Sequence, residues 1–296
     1  MAKLNKNLKT LAREAGGSFK TVSDRMKIAD RFAERLLKLN VQIRDIKNIK
    51  TGHIELYMKS RLSEEISKRT LQNEMSAIRA LLRVAGKTFM ADPAHEKLSN
   101  QALGISETSR DGTKVAIPDI YFRQVLTSVE QKDEGVACAL RLSRLLGLRT
   151  EETVQSAKSL KTWQKMLLTG NEKIRVVFGT KGGRPRDTTV LDRDATLSAI
   201  SIALKYLNEN NGKLIDKPSL HTAIERYRNI VREAGLTGKY APHSLRYAYS
   251  VDVMNLHINN GFSKEEAQAL ASMDLGHGDG RGHYVARVYN KVESDE

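Results

Sequence analysis

The stretch SKRTLQNEMSAIRALLRVAG, residues 67–86, carries the clearest helical pattern in the chain and decides the fold of the region around it. Apolar side chains recur in it every three or four positions, which places them along one side of a helix. This apolar stripe consists of Leu71, Met75, Ile78 and Leu82. We therefore predict an amphipathic helix from Ser67 or Lys68 to Ala85, ended by Gly86.

Basic side chains lie beside that stripe. The polar positions on one face of the same helix are Arg69, Gln72, Ser76, Arg79 and Arg83. A second amphipathic helix, predicted over Thr21–Leu39, carries Arg31, Arg35 and Lys38 on its polar side. A solvated polar face explains one such helix. Two consecutive basic faces favour a surface that follows a DNA backbone.

The whole chain is basic, with 49 Lys and Arg against 35 Asp and Glu in 296 residues. This excess favours a polyanionic partner, because neutralised phosphates release counterions, although a basic solvated surface is the plain alternative. Cys138 is the single cysteine, so no intrachain disulfide can form, and its apolar context predicts a buried thiol. No signal sequence or membrane span is recognisable, which indicates a cytoplasmic, nucleoid-associated protein.

The chain is long enough for two domains and divides into four predicted segments. Residues 1–20 form a basic tail or a short helix, 20–102 a helical domain, 103–117 a linker and 118–296 a larger domain. The linker is predicted from its Gly, Ser, Thr and Asp content and its lack of an apolar period. Two β-type runs, Ile174–Phe178 and Asp187–Leu191, flank a basic tip and predict a hairpin. The other predicted helices span 51–62, 119–129, 134–146, 193–209, 219–234, 243–258 and 264–273.

Four residues of the larger domain form two short patterns that suit a phosphodiester. Arg149 follows a buried helix, and its guanidinium can donate two parallel hydrogen bonds to a phosphate. Glu152 follows three residues later, close enough to hold that arginine or a neighbouring histidine. His243 and Arg246 share a helix face near an N-terminus, where an anion is favoured. An ordinary ion pair would also explain Arg149 and Glu152. A chance His-x-x-Arg pattern would also explain His243 and Arg246.

Three further residues suit the same chemistry. Lys181, among the glycines of the hairpin tip, could protonate a leaving alkoxide, although a loop lysine is more often solvated. His277 lies in a glycine-rich turn that could approach a ligand; a metal site with His243 and His283 lacks the usual spacing. Tyr289, near the end of the chain, could be a nucleophile in a positive pocket or could simply pack in a last helix.

The order and context of these residues resemble the tyrosine recombinase (phage-type integrase) family. The similar boxes are Leu148-Arg149 with Glu152, Thr180-Lys181-Gly182, Pro242-His243-x-Leu245-Arg246, Leu275-Gly276-His277 and Val288-Tyr289-Asn290-Lys291-Val292. The stretch 67–86 also resembles the third helix of the family's core-binding domain. The resemblance implies a mainly α fold: a SAM-like helical core-binding domain, then a mainly helical catalytic domain with a small antiparallel sheet.

The resemblance implies a site-specific recombinase or integrase that moves a mobile element without a metal or nucleotide cofactor. Its implied catalytic set is Arg149, Lys181, His243, Arg246, His277 and Tyr289, with Glu152 as an orienting residue. Tyr289 would form a 3′-phosphotyrosyl bond, with His243 as its base and Lys181 as the acid for the leaving oxygen. Many relatives place the nucleophile about nine residues after the histidine. Here Tyr284 and Tyr289 follow His277 by seven and twelve residues, so Tyr284 remains an alternative nucleophile.

The implied partner is double-stranded DNA, bound by a homotetramer that joins two DNA sites, with room for accessory DNA-bending or directionality proteins. The expected DNA contacts are Arg31, Arg35, Lys38, Arg69, Arg79, Arg83 and Arg184. The segment before Thr21 is expected to be too short for a separate arm-binding domain. The tail after Tyr289 is expected to be too short for the C-terminal helix that couples protomers in many relatives. The alternatives are a type IB topoisomerase and a DNA-binding regulator without catalysis.

Overall fold

The computed structural model describes residues 2–109 and 111–289, which form two compact units with the boundary after Ser109. Over these two ranges the chain is mainly helical, with thirteen α-helices and one two-stranded antiparallel sheet. This confirms the predicted fold class. No helix in the described ranges is long and apolar enough to cross a membrane. The tail after Tyr289, for which the sequence predicts no docking helix, lies outside the described residues.

The first unit contains the helices α1 (Ala2–Glu14), α2 (Phe19–Lys38), α3 (Thr51–Leu62) and α4 (Lys68–Val84). The predicted stripe of α4 is fully buried at Leu71, Met75, Ile78 and Leu82. Phe32 of α2 and Tyr57 of α3 meet edge to face in the same core, with ring centroids 4.8 Å apart. Ser67 starts α4 by accepting the N–H of Thr70, as expected of a serine N-cap.

The segment predicted as a basic tail, residues 1–20, forms a helix over most of its length. Leu4, Leu8 and Leu11 are buried on one side of α1, which packs against α2 and α4. Apolar residues therefore recur at spacings of four and three residues in this lysine-rich segment, as in an amphipathic helix. The short-helix interpretation applies here, and the tail interpretation does not.

The segment predicted as a linker, residues 103–117, is packed at both ends. Leu103 and Ile105 are buried in the core of the first unit, where Gln72 donates from Nε2 to the carbonyl oxygen of Ile105 at 2.7 Å. Ile117 belongs to the core of the second unit. The boundary between the units lies inside this segment.

The helices of the second unit are α5 (Asp119–Lys132), α6 (Glu134–Leu146), α7 (Thr150–Val154), α8 (Leu160–Leu168), α9 (Arg193–Glu209), α10 (Leu220–Glu233), α11 (Ser244–Asn259), α12 (Lys264–Asp274) and α13 (Gly282–Tyr289). Strands β1 (Lys173–Val176) and β2 (Arg186–Thr189) pair antiparallel, with Lys173 opposite Thr189. This is the predicted hairpin. Trp163 of α8 is buried and donates its indole N–H to the carbonyl oxygen of Arg175 at 2.8 Å, which fixes the hairpin against the core.

Two helices of the second unit end at glycines that bring their last carbonyl groups to one place. Gly147 follows α6 with φ 57°, and a Cβ there would lie 2.4 Å from the ring of Tyr249. Gly276 follows the end of α12 with φ 65°. Both positions favour glycine, because other residues rarely adopt positive φ. The predicted capping box at the start of α12 is present: Ser263 accepts the N–H of Glu266, whose carboxylate accepts in return.

Candidate active site

Tyr289, the last residue of α13, lies between the two histidines that the sequence singles out. Its hydroxyl oxygen is 3.1 Å from Nε2 of His277 and 3.3 Å from Nε2 of His243. The guanidinium carbon of Arg246 lies 5.7 Å from the centroid of its ring, within the range of a cation–π contact. The tyrosine itself is only 5% exposed. The structure thus brings four of the six predicted catalytic residues, Tyr289 itself included, together at one tyrosine side chain.

Two arginines meet at the C-terminal end of α12. Arg246 of α11 is completely buried; its Nη1 donates to the carbonyl oxygen of Gly147 at 2.5 Å and its Nη2 to that of Leu275. Arg149, just before α7, donates from Nη2 to the same Leu275 oxygen at 3.0 Å. Carbonyl groups carry only partial charge, so these contacts orient the guanidinium groups without neutralising them. The Nε–H of Arg246 has no acceptor in the part of the chain that the structure describes.

Glu152 is the carboxylate of this cluster and is 1% exposed. Its Oε1 accepts from Nη1 of Arg149 at 2.7 Å, and its Oε2 accepts from the main-chain N–H of Arg149 at 2.8 Å. This is the orienting contact that the three-residue spacing predicts. Arg186 of β2 donates to the same carboxylate, from Nη2 at 2.8 Å and from Nε at 3.4 Å. Arg186 was not predicted from the sequence, because nothing in GGRPR, residues 182–186, distinguishes it from the neighbouring Arg184.

The charges of the cluster do not balance. Burial by itself would raise the pKa of Glu152, but the charges of Arg186, Arg246 and Arg149 outweigh it and lower the pKa to about 2. The carboxylate is therefore ionised at neutral pH. One carboxylate faces three guanidinium groups, so the cluster keeps the positive charge that would stabilise a phosphodiester and its transition state.

The two histidines are neutral at neutral pH. Burial of its ring and the positive charges of Arg246 and Arg149 lower the pKa of His243 to about 4, although the residue as a whole is exposed to solvent. The same causes lower the pKa of His277 to about 3. A neutral imidazole has one nitrogen that donates and one that accepts. The hydroxyl of Tyr289 can therefore donate to one Nε2 and accept from the other.

An open cavity of about 700 Å³ lies beside the cluster and is lined by Arg149, Lys181 and His277. Arg184 and Arg281 also line it, so its wall is strongly cationic. Lys181 is exposed in the tip of the hairpin, and its charge is among those that lower the pKa of His277. All six predicted catalytic residues therefore lie in or beside one positive pocket. Over the described ranges, no group of His, Cys, Asp and Glu is placed to hold a metal ion.

Tyr284, the alternative nucleophile, lies on the exposed side of α13. It is 38% exposed, and its ring centroid is 5.6 Å from that of His277 and 6.5 Å from that of Tyr289. Tyr289 has the contacts with both histidines described above. The geometry therefore favours Tyr289 over Tyr284.

Most residues expected to contact DNA are accessible. The exposed ones are Arg31, Lys38, Arg69, Arg83 and Arg184. Two of the expected contacts in the first unit already pair with carboxylates: Arg31 donates to Glu74 at 2.5 Å, and Arg35 pairs with Glu64. These ion pairs reduce the charge that the polar side of α2 offers to a phosphate.

Arg79 differs from the other expected DNA contacts, because it is only 7% exposed. Its Nη2 donates to the carbonyl oxygen of Leu98 at 2.7 Å and to Oδ1 of Asn100 at 3.1 Å. Its place on the polar face of α4 follows the predicted spacing, but residues 98–100 cover that part of the helix. Arg79 therefore holds this segment in place and is not a surface contact.

Two protein-family models match the chain. The model described as "Phage integrase, N-terminal" matches residues 1–91, and the model described as "Integrase" matches residues 104–252. The second match alone covers half of the chain, and the two together span most of both units. No curated protein sequence matches the chain.

Solved structures show the same fold at low sequence identity. A lambda integrase dimer bound to a COC′ core site is 14% identical over 100% of this chain and 79% of that one, with a TM-score of 0.60. XerH recombinase bound to a palindromic difH substrate is also 14% identical, over 96% and 81%, with a TM-score of 0.60. The Tn1549 transposon integrase in complex with transposon right end DNA is 13% identical, over 97% and 96%, with a TM-score of 0.58.

Proposed function

Because the chain belongs to the integrase family, we propose that its second unit cuts and rejoins DNA through Tyr289. Membership of the family makes the protein a site-specific DNA recombinase, and DNA its substrate. The observation that carries the proposed chemistry is the hydroxyl of Tyr289, held by Nε2 of His277 at 3.1 Å and Nε2 of His243 at 3.3 Å. A phenol in this position has a proton acceptor at hand and a positive pocket beside it.

In the proposed cleavage step, the oxygen of Tyr289 attacks the scissile phosphorus in line with the leaving 5′-oxygen. The phenol proton passes to Nε2 of His243, and the bond between phosphorus and the 5′-oxygen breaks. The products are a 3′-phosphotyrosyl bond and a free 5′-hydroxyl. Arg149 and Arg246 stabilise the charge that develops on the non-bridging oxygens. Their carbonyl contacts hold both guanidinium groups in place before the phosphate arrives, so no reorganisation is needed during the reaction.

The neutral histidines support different roles for the two imidazoles. His243 accepts the proton, so its Nε2 carries the lone pair in the reactive tautomer. His277 then donates from Nε2 to the tyrosine oxygen, and to the phosphate once the tyrosine has reacted. Lys181 is the proposed acid, because an exposed ammonium on a glycine-flanked tip can reach the leaving oxygen and protonate it. Glu152 keeps Arg149 in its productive orientation.

Rejoining is the reverse reaction on another strand. A 5′-hydroxyl attacks the phosphotyrosyl phosphorus, the new phosphodiester forms, and Tyr289 recovers its proton. Because the covalent bond conserves the energy of the phosphodiester, no ATP is required. We further propose that four protomers act on two DNA sites, since the family's reaction exchanges strands between two duplexes. The surface that would contact DNA in the first unit includes Arg69 and Arg83, and the expected setting is nucleoid DNA in the cytoplasm.

A trapping experiment tests the proposal. Duplexes nicked near a randomised cleavage point lose the short 5′-strand after attack, so the covalent complex accumulates and can be isolated under denaturing conditions. We expect wild type to yield adducts whose DNA identifies the site, and mass spectrometry to find the nucleotide on Tyr289. Tyr289→Phe removes one oxygen and should give no adduct, whereas Tyr284→Phe is the matched control and should retain it.

Other outcomes would reassign the function. Loss of the adduct only in Tyr284→Phe would make Tyr284 the nucleophile. Absence of an adduct from every version, with DNA binding intact, would favour a regulator without catalysis. Adduct formation without strand exchange between two duplexes would favour a topoisomerase.

A further inference from the structure

Arg186 is a buried arginine whose donors are all directed to the framework of the active site. It is 5% exposed and lies on β2, on the side of the hairpin that faces the ends of α6 and α12. Its Nη2 and Nε donate to the carboxylate of Glu152 at 2.8 and 3.4 Å. Its Nη1 donates to the carbonyl oxygen of Asp274, and Nη2 also donates to that of Gly147 at 3.2 Å.

The acceptors of Arg186 also hold the two arginines proposed to bind the phosphate. Glu152 accepts from Arg149, and the carbonyl oxygen of Gly147 accepts from Arg246. The carbonyl of Asp274 precedes that of Leu275, which accepts from both arginines. A displacement of Arg186 would therefore shift each of these anchor points at once.

The backbone around Arg186 is built to receive a side chain of this shape. Gly276 has φ 65°, and a Cβ there would lie 2.7 Å from Cδ of Arg186. The end of α12 therefore closes directly over the aliphatic part of Arg186. A third buried guanidinium beside Arg149 and Arg246 is unfavourable by like-charge repulsion, and a well-packed apolar side chain would support the fold without that cost.

We propose that Arg186 is a positioning residue, which holds Glu152 and the carbonyl ends of α6 and α12 so that Arg149 and Arg246 are oriented for the scissile phosphate. This role rests on the proposed function. Arg186 does not touch the phosphate in it; it acts through Glu152 and the three carbonyl groups. A lysine cannot replace it, because a single ammonium cannot reach acceptors in three directions in one plane.

The test compares Arg186→Lys and Arg186→Gln with wild type on the nicked duplex recovered by trapping. We expect Arg186→Lys to form the adduct about 100-fold more slowly at saturating DNA, since small misplacements of catalytic groups have effects of that size. The DNA dissociation constant should change little. The matched control is Arg226→Lys, because Arg226 also pairs with a carboxylate, that of Asp133 at 3.1 and 3.0 Å, outside the cluster.

Two further readouts separate positioning from a purely structural role. In a double-mutant cycle, Glu152→Gln and Arg186→Gln should have clearly less than multiplicative effects on the rate, because both disturb the same contact. Arg186→Gln also removes a charge that lowers the pKa of Glu152, so the pKa of this carboxyl group, followed by NMR titration, should rise above that in the wild type. Arg226→Lys should leave the pKa of Glu152 unchanged.

The possible results distinguish a failure of the proposed function from a failure of the positioning role of Arg186. A wild-type protein without adduct contradicts the proposed function and not the role of Arg186 alone. Adduct formation by wild type and by Arg186→Lys at equal rates overturns the positioning role, as do multiplicative effects in the cycle. Circular dichroism shows whether the variants fold; if neither does, Arg186 is a folding residue and the proposal is rejected.

Discussion

Each unit of the molecule contains a buried glutamate held by arginines, Glu74 in the first unit and Glu152 in the second. Both are 1% exposed. Glu74 accepts from the hydroxyl of Tyr57 at 2.7 Å, from Arg31 at 2.5 Å and from Arg61 at 2.9 Å. Glu152 accepts from two arginines as well. The two carboxylates therefore look alike when only their own contacts are considered.

The difference lies in what receives the remaining donors of the arginines. In the first unit Arg61 also pairs with Glu64, and Glu64 pairs with Arg35, so carboxylates neutralise these side chains. In the second unit the remaining donors of Arg149 and Arg186 go to carbonyl oxygens, and over the described residues Arg246 donates to carbonyl oxygens alone. A carboxylate neutralises a guanidinium, whereas a carbonyl group only orients it. The same residue type thus pairs with carboxylates in one unit and keeps its positive charge in the other, where we propose that it binds a phosphate.

Replacing one arginine of each kind is the strongest test of this contrast. Arg246→Lys loses the paired donation to Gly147 and Leu275, so we expect adduct formation at saturating DNA to fall by about 1000-fold. Arg61→Lys is the matched control from the carboxylate-held group, and its rate at saturating DNA should stay within a few-fold of wild type. Single-turnover trapping measures both. Equal losses in the two variants would refute the division.

The contrast also predicts where stability is lost when each carboxylate is neutralised. Glu74→Gln should lower the free energy of unfolding of the first unit by about 3 kcal/mol, because it leaves buried arginine contacts uncompensated. Trp163 is the single tryptophan and lies in the second unit, so its fluorescence reports that unit, while far-ultraviolet circular dichroism reports both. Urea unfolding of Glu74→Gln should shift the dichroism transition and leave the fluorescence transition in place. Glu152→Gln should shift the fluorescence transition instead. Joint shifts in both variants would mean that the units do not unfold separately.

The responses of the units to acid should differ for the same reason. His243 and His277 have pKa values lowered to about 4 and about 3, so the unfolded chain binds more protons than the native one below the ordinary histidine pKa of 6.5. Their contribution to stability is present above pH 6.5 and is lost as the pH falls from there to about 4 for His243 and about 3 for His277. In the first unit, burial opposes but Arg61, Tyr57 and Arg31 lower the pKa of Glu74, so its contribution persists until the pH falls below about 4.5.

Unfolding at pH 7 and at pH 5 tests this difference. The urea midpoint of the fluorescence transition, which reports the second unit, should be lower at pH 5 than at pH 7. The part of the dichroism change that comes from the first unit should keep the same midpoint at both pH values. The double variant His243→Gln with His277→Gln should remove most of the loss in the second unit. A loss that persists in this variant would contradict the assignment to these histidines.

The helices and the hairpin were predictable because their signals are local. Amphipathic spacing, the Ser263 capping box and the glycines after α4 and α12 are short-range patterns that tertiary packing does not override here. The proposed catalytic set was identified from the order of its motifs, since each residue alone has an ordinary explanation. Its convergence at Tyr289 is a property of the tertiary structure, which no local pattern contains.

The roles of Arg186 and Arg79 were not predicted, because they depend on partners that are distant in the chain. Arg186 receives its role from Glu152, Gly147 and Asp274, which lie 34, 39 and 88 residues away, and nothing near it in the chain indicates them. Arg79 has the spacing of a basic face, but residues 98–100, which are about twenty positions away in the chain, cover it. Helical spacing fixes which residues share a face and does not fix what packs against that face.

The smallest expected effect concerns the two neighbouring arginines of α4 and completes the comparison within the first unit. Arg83 is exposed, whereas Arg79 is buried and donates to Leu98 and Asn100. If Arg83 neutralises one phosphate, Arg83→Gln should weaken binding to the recovered duplex a few-fold and reduce the salt dependence of the affinity by about one unit of slope. Arg79→Gln should leave that slope unchanged and lower only the unfolding midpoint of the first unit.

Titrations at several salt concentrations separate these results, because the slope counts released counterions and is insensitive to a uniform loss of folded protein. A reduced slope in Arg79→Gln would mean that its guanidinium leaves residues 98–100 to reach DNA, and the distinction between the buried Arg79 and the exposed Arg83 would then fail.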